Sequence, residues 1–262
     1  MINQILEFSA NTPWFYAVAI PAILMLGLAK GGFGGGMAGI VTPMVALVIA
    51  PVTAAAIILP ILLVGDAIGV YNYRQSVKWS VFWTIVPATI IGITIGALTA
   101  SYLSDDFFRL ALGTISIFFA SLQFTKDMLK HKPKSENKKL GYFWGSLAGL
   151  TSFISHSGAP PYQAYVLPLK LDKVIYAGTT AVTFACINSI KVVPYFALGQ
   201  FNSQNLWISV SLIPFAVIGA FIGIWAVKRA SQGLFYNITY AAMIIIGIKL
   251  IWDGRGAILS LF

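Results

Sequence analysis

Charged side chains are scarce in this chain, since Asp, Glu, Lys and Arg together make up 10% of its 262 residues. A soluble domain of similar length carries about a quarter charged residues, so the composition excludes an ordinary water-soluble fold. Cysteine and histidine are also rare, with one Cys and two His. The single Cys186 excludes an intramolecular disulfide and a cysteine-rich metal site, and no His-Glu-x-x-His motif occurs. We therefore expect no metal, no cofactor and no catalytic residues.

Apolar sequence is abundant instead. Hydrophobic residues make up 58% of the chain, and the mean hydropathy is +0.83. Apolar runs of about 18 residues or more, each long enough to cross a bilayer, recur from end to end. They predict an all-α polytopic membrane protein surrounded by lipid. The net charge of +9 fits basic cytoplasmic loops better than a nucleic-acid partner, which we do not expect.

One basic stretch, KDMLKHKPKSENKKL at 126–140, divides the apolar runs into two groups. We expect a first transmembrane repeat at 1–125, a linker at 126–140 and a second transmembrane repeat at 141–262. The predicted apolar segments are 14–30, 36–49, 53–73, 79–100 and 107–125, then 141–155, 160–169, 174–198, 207–227 and 234–252.

The two groups are related in sequence. An offset of 122 aligns the first part of each repeat, and after five extra residues in the second repeat the offset becomes 127. Internal duplication is characteristic of transporters, whose binding sites lie between the repeats. The matched pairs include Gly36 and Gly158, Asp66 and Asn188, Tyr73 and Tyr195, Pro87 and Pro214, and Gly92 and Gly219.

The segments 36–49 and 160–169 are too short to span, because at about 1.5 Å per residue they reach only about 20 Å and 15 Å. If each forms a hairpin with the helix before it, each repeat has a re-entrant pair plus three spanning helices, and the repeats are inverted. Basic residues then collect on the linker side and leave Arg109, Lys249 and Arg255 opposite. The positive-inside bias favours this arrangement over one broken span per pair, and it places the linker in the cytoplasm.

Glycine is concentrated in the stretch LAKGGFGGGMAGIVTP at 28–43. An interior Gly costs a helix about 1 kcal/mol relative to Ala, so this run predicts a break that protein or water must line; close helix packing is the alternative. The second repeat has SFISHSGAPPYQ at 152–163, where Pro160 predicts the start of a half-helix. Half-helix N-termini attract anions. The expected anion-binding residues are Lys30, Gly31, Gly32, Gly34, Gly35, Gly36, Ser155, His156, Ser157 and Gly158.

Ionisable residues inside apolar segments usually face an interior pathway, since a charge at the bilayer centre costs roughly 2.5–3.5 kcal/mol. Asp66, Gly69 and Tyr73 share one helical face, and Asn188, Lys191 and Tyr195 form the equivalent face of the second repeat. We expect Tyr73, Asn188, Lys191 and Tyr195 to line a central site, and Asp66 or His156 to couple protons. Two alternatives stay open: Lys30 and Asp66 form a structural ion pair, and His156 is a satisfied hydrogen-bonding residue.

These motifs resemble the TauE/SafE family of bacterial membrane transporters, the sulfite exporter family. The resemblance rests on Gly-x-x-Lys-Gly at 27–31 before the glycine-rich break, on Pro43, and on Gly-x-x-x-x-x-Ser-His-x-Gly at 149–158. It covers essentially the whole chain. It implies movement of sulfur-containing anions, such as sulfite or organosulfonates, across the bacterial cytoplasmic membrane, usually outward. The family's glycine-rich segment corresponds to 31–36, whereas only Gly158 remains in the second repeat.

Three functions compete at this point. A secondary transporter for a small sulfur oxyanion, possibly coupled to protons, explains both the broken helices and the buried lysines. A passive anion channel needs the same positive lining without a coupled titration. An intramembrane enzyme is disfavoured, since the adjacent His156 and Ser157 rarely pair as base and nucleophile. The sequence leaves open a homodimer.

Overall fold

The computed structural model describes residues 12–30, 35–100, 102, 104–124, 135–227 and 232–256. Within these ranges the chain is helical and contains no strand. The predicted Gly31, Gly32 and Gly34 and most of the 126–140 linker lie outside the described residues. The helices are α1 (Phe15–Leu28), α2 (Val41–Val45), α3 (Pro51–Tyr73), α4 (Trp79–Ala100), α5 (Asp105–Phe124), α6 (Lys138–Ser155), α7 (Ala159–Val166), α8 (Lys173–Ala197), α9 (Ser203–Val227) and α10 (Gln232–Asp253), with short 3-10 helices at Gly35–Ile40 and Leu167–Leu169.

The polytopic all-α class predicted from the sequence is confirmed. Helices α3, α4, α8 and α9 contain stretches long and apolar enough to cross a membrane. Large apolar side chains also remain on the outside, among them Trp83, Phe221 and Ile245. Such a surface suits hydrocarbon rather than water. The helix ends agree closely with the predicted segments, although α6 starts at Lys138, because the Asn137 side chain caps it by accepting a hydrogen bond from the Leu140 N–H at 3.2 Å.

The helices occur in the same order in both halves, and in the main packed pairs a helix of one half packs against a helix of the other. Helix α4 packs on α6, and its counterpart α9 packs on α1; the counterparts α3 and α8 pack on each other, as do α5 and α10. The closest approaches are matched as well. A Cβ placed on Gly149 would lie 2.2 Å from the Thr89 oxygen, and one on Gly27 would lie 2.2 Å from the Ala216 oxygen. These contacts have equivalent positions under the two sequence offsets, so the halves are packed with approximate twofold correspondence. The inverted orientation itself stays a prediction.

Close packing requires glycine at these positions and at the matched Gly92 and Gly219. A Cβ on Gly92 would lie 1.9 Å from the Ser146 oxygen, and one on Gly219 would lie 2.3 Å from the Leu24 oxygen. Distances this short mean that the helix backbones touch directly. Small residues permit such contact in membranes, where packing rather than the hydrophobic effect holds helices together.

The second short segment returns to the side from which its hairpin starts. Just before α6, Glu136 accepts a hydrogen bond from the Ser80 hydroxyl at 2.9 Å and lies 3.6 Å from the Lys78 amine. Near the start of α8, the Thr179 hydroxyl accepts from the Lys78 N–H at 2.8 Å. Both ends of the α6–α7 unit therefore lie beside the loop between α3 and α4. This is the arrangement that a hairpin requires.

Candidate functional site

The centre of the candidate site is the crossing of α3 and α8. The two helices are antiparallel, because Gly69 lies against Ala181 while Tyr73, further along α3, lies against the earlier Gly178. At their crossing the Asp66 carboxylate accepts hydrogen bonds from the Asn188 amide and from the Lys30 amine, which follows α1. Asp66 is 4% exposed, whereas the Lys30 side chain is 32% exposed. The ion pair between Lys30 and Asp66, which the sequence left open as an alternative, is therefore present, with one accessible partner.

Lys191 lies one turn beyond Asn188 on α8 and is completely buried. Its amine donates to the Ser152 carbonyl oxygen at 3.0 Å, to the Ser152 hydroxyl at 3.0 Å and to His156 Nδ1 at 2.6 Å. An ammonium group has three N–H donors, so these bonds use all of them. Among the described residues no carboxylate forms a salt bridge with Lys191.

His156 ends α6 in the left-handed conformation, with φ of 55°. This conformation is uncommon for a residue with a side chain, and contacts with α3 and α8 hold it in place. The Ala55 carbonyl oxygen of α3 can only accept, so Nε2–H donates to it at 2.8 Å and Nδ1 accepts from the Lys191 amine of α8. The ring also stacks on Tyr195, with the centroids 6.4 Å apart. In this state His156 is a satisfied hydrogen-bonding residue that fixes the break.

The residues of the second break are buried among the helices. Ser155 donates to the Thr151 oxygen at 3.0 Å, and Ser157 donates to the Gly39 oxygen at 3.3 Å. Gly39 lies in the 3-10 helix that contains Gly35 and Gly36, so the Ser157 bond joins the two predicted breaks. Gly158 packs against α6, where a Cβ would lie 2.7 Å from the Ala148 oxygen.

Helix α7 begins as the sequence predicts, with Gly158 before it and two prolines in its first turn. Pro160 and Pro161 have no N–H, and the Tyr162 N–H bonds to the Gly158 oxygen at 3.2 Å. Gly158 and Ala159 therefore supply the amides that remain at this N-terminus. The helix end offers an anion fewer donors than a helix without prolines.

The structure does not bring the two predicted tyrosines together. Tyr195 is 1% exposed and donates to the Phe153 oxygen at 2.7 Å. Tyr73 is 41% exposed and lies at the last residue of α3. Each is seven residues from the Asp66–Asn188 crossing, about 10 Å along its helix. Because the helices are antiparallel, these distances run in opposite directions. The two polar faces therefore meet at Asp66 and Asn188 and then diverge.

The sequence did not predict the groups that accept hydrogen bonds from the buried Lys191 amine and from the residues at the break. Ser152 supplies two of the three acceptors of Lys191, and the Ala55 and Phe153 backbone oxygens bind His156 and Tyr195. Ser152 carries a usable signal, since it lies four residues before His156 and is polar within an apolar helix. The backbone acceptors carry none, because every residue has a carbonyl oxygen.

The long apolar helices, their repeated order and the buried amine of Lys191 define this protein as a multi-pass membrane protein. The sulfite exporter TauE/SafE family model matches residues 19–250, and the chain therefore belongs to the TauE/SafE family, whose members are transporters rather than enzymes. No curated protein and no solved structure matches the chain significantly.

Proposed function

We propose that this protein is a secondary transporter that exports a small sulfur-containing oxyanion, sulfite or an organosulfonate, across the bacterial cytoplasmic membrane, with the central linker in the cytoplasm. The observation that carries the proposal is the accessible amine of Lys30 at the α3–α8 crossing. This amine contacts one carboxylate, Asp66, and 32% of the Lys30 side chain is exposed. An oxyanion that binds it gains a charge-assisted hydrogen bond at a site surrounded by apolar helices.

Lys30 is the better candidate for direct contact with the anion. It gives one bond to Asp66, and 32% of its side chain is accessible, so N–H donors remain for a ligand. Lys191 is buried and has used its three donors. Its contribution is to hold the break at His156. The predicted direct contact between Lys191 and the anion is therefore not part of the proposal.

Asp66 supplies a route to proton coupling. Its carboxylate occupies the amine that the oxyanion would bind, so the two anions compete for Lys30. Protonation of Asp66 removes its charge, releases Lys30 and favours the bound oxyanion. The charged and titratable groups that face this site are Lys30 beside α1, Asp66 on α3, and Lys191 on α8, which contacts His156 at the end of α6.

The proposal requires saturable anion flux that depends on Lys30. The protein would be reconstituted in liposomes and efflux of radiolabelled sulfite and ethanesulfonate measured. We expect Lys30→Met to lower the flux at least about tenfold, since a charge-assisted hydrogen bond to a ligand contributes roughly 1.5–3 kcal/mol. Lys249→Met is the matched control, because Lys249 pairs with Asp253 on the exposed side of α10.

Two results would contradict the proposed transport. One is wild-type protein without flux of either anion; the other is equal flux in the Lys30 and Lys249 variants. Flux that does not saturate, accompanied by single-channel current, would assign the protein to the channel class instead.

A further inference from the structure

A groove of about 420 Å³ lies between α3 and α8 and runs from Arg74, at the loop end of α3, past Asp66. Its charged or hydroxyl-bearing lining residues include Asp66, Arg74 and Ser189. The remaining lining is Leu63, Ala67, Val70, Tyr71 and Ala185. An acid, a guanidinium and a hydroxyl are costly in hydrocarbon, so they favour water along the polar side of a groove that is otherwise apolar. Lys30 is not in the lining, and its contact with Asp66 connects it to the groove.

Arg74 lies at the mouth of this groove. It caps the C-terminus of α3, and its guanidinium carbon lies 5.3 Å from the centre of the Tyr71 ring. Arg74 is eight residues from Asp66, about 12 Å along the helix. The Asp66 charge at the far end is already balanced by Lys30. The cationic mouth therefore attracts anions into a groove whose floor is not net negative.

We propose that this groove is the access path of the anion, and that Arg74 is a specificity-determining residue that gathers small oxyanions at its mouth before they reach Lys30. The inference rests on the proposed anion transport and adds a residue and a route to it. Arg74 follows α3 on the side that carries the α3–α4 loop and Glu136, the end of the linker. That side is the predicted cytoplasmic one, from which an exporter takes its substrate.

The test compares Arg74 with an arginine in the same local setting. Arg255 lies over the Trp252 ring, 4.4 Å from its centre, three residues after the aromatic residue and at the end of a helix. Arg255 does not line the groove. If Arg74 only anchors the helix end at the membrane interface, Arg74→Gln and Arg255→Gln will behave alike.

We expect Arg74→Gln to raise the KM for ethanesulfonate efflux about tenfold with little change in the maximal rate, because a focused charge raises the local anion concentration. Arg255→Gln leaves KM unchanged, and Arg74→Lys restores most of the affinity because the charge is kept. Higher ionic strength raises the wild-type KM toward that of Arg74→Gln, since exposed charges are screened. Sulfite is measured in parallel.

A second pair of variants tests the path itself. Ala67 lines the groove, whereas the next residue, Ile68, does not line it and is 57% exposed. We expect Ala67→Phe to obstruct the groove and lower the maximal rate at least about fivefold, with Ile68→Phe unchanged.

Two outcomes would overturn the groove assignment alone: a wild-type KM in Arg74→Gln, or equal shifts in the two arginine variants while the wild-type protein transports. Full flux through Ala67→Phe would likewise reject the path. Wild-type protein that transports neither anion would overturn the proposed function and this inference together, so the two failures are distinguishable.

Discussion

Replacing Asp66 with asparagine should strengthen oxyanion binding. Asn keeps the shape of the side chain and can still accept a hydrogen bond from Lys30, but it carries no charge to compete with the ligand. The variant imitates the protonated carboxylic acid that the proposed mechanism requires. In the wild-type protein Lys30 and Asn188 donate to different oxygens of Asp66. The single amide oxygen of the variant can face Lys30, while Asn188 turns its amide so that its oxygen accepts from the new NH2 group.

The magnitude follows from the contact between Lys30 and Asp66. Two unit charges about 4 Å apart attract by about 4 kcal/mol at the effective dielectric constant of a protein surface. The Lys30 side chain is 32% exposed, so water screens the pair. We expect that removing the Asp66 charge makes about a third of this energy available for anion binding. That third is about 1.4 kcal/mol, which lowers the Kd about tenfold at neutral pH.

The assay is calorimetric titration of ethanesulfonate into the two purified proteins at neutral pH. Asp253→Asn is the control, because Asp253 forms an ion pair with Lys249 away from the site. Weaker or unchanged binding in Asp66→Asn would refute the competition.

The remaining predictions concern the buried amine and the helix contacts. Lys191→Met removes the donor shared by Ser152 and His156, so we expect a loss of about 1–3 kcal/mol of stability in detergent and weaker anion binding; an unchanged melting temperature would show that the amine does not hold the break. Gly149→Ala and Gly27→Ala should each destabilise by about 1–3 kcal/mol, since each added methyl would lie 2.2 Å from a carbonyl oxygen. Gly69→Ala should be tolerated, because its Cβ would lie 3.4 Å from Ala181. Thermal unfolding with similar losses in the first two glycine variants and none in the third would support the paired packing of the halves, whereas three equal values would contradict it.

Helix positions could be predicted from the sequence because lipid imposes strong local rules. Apolar length marks the spans, and proline marks the start of α7. The start of α6 at Lys138 was not predicted, because the Asn137 cap extends that helix into polar residues. The contact between Asp66 and Asn188 could also have been predicted from the sequence. Residues matched by an internal repeat meet when they lie at the axis that relates the two copies, and these two lie at the crossing of α3 and α8.

The rest of the candidate site depends on geometry that spacing does not encode. Tyr73 and Tyr195 occupy equivalent positions, yet antiparallel packing sends them to opposite ends of the crossing. Lys191 looks like an available ligand in the sequence, but Ser152 and His156 on a distant segment use its donors. In the sequence, Arg74 looks like any other charged residue of a loop. Only the packing of α8 against α3 shows that it lines a groove.

The most direct test is to locate the bound anion. We would determine the structure with selenite, which has the charge and shape of sulfite and scatters X-rays anomalously. We expect a selenium peak within about 4 Å of the Lys30 amine, with that amine withdrawn from Asp66. A peak elsewhere, with the Lys30–Asp66 contact intact, would contradict it.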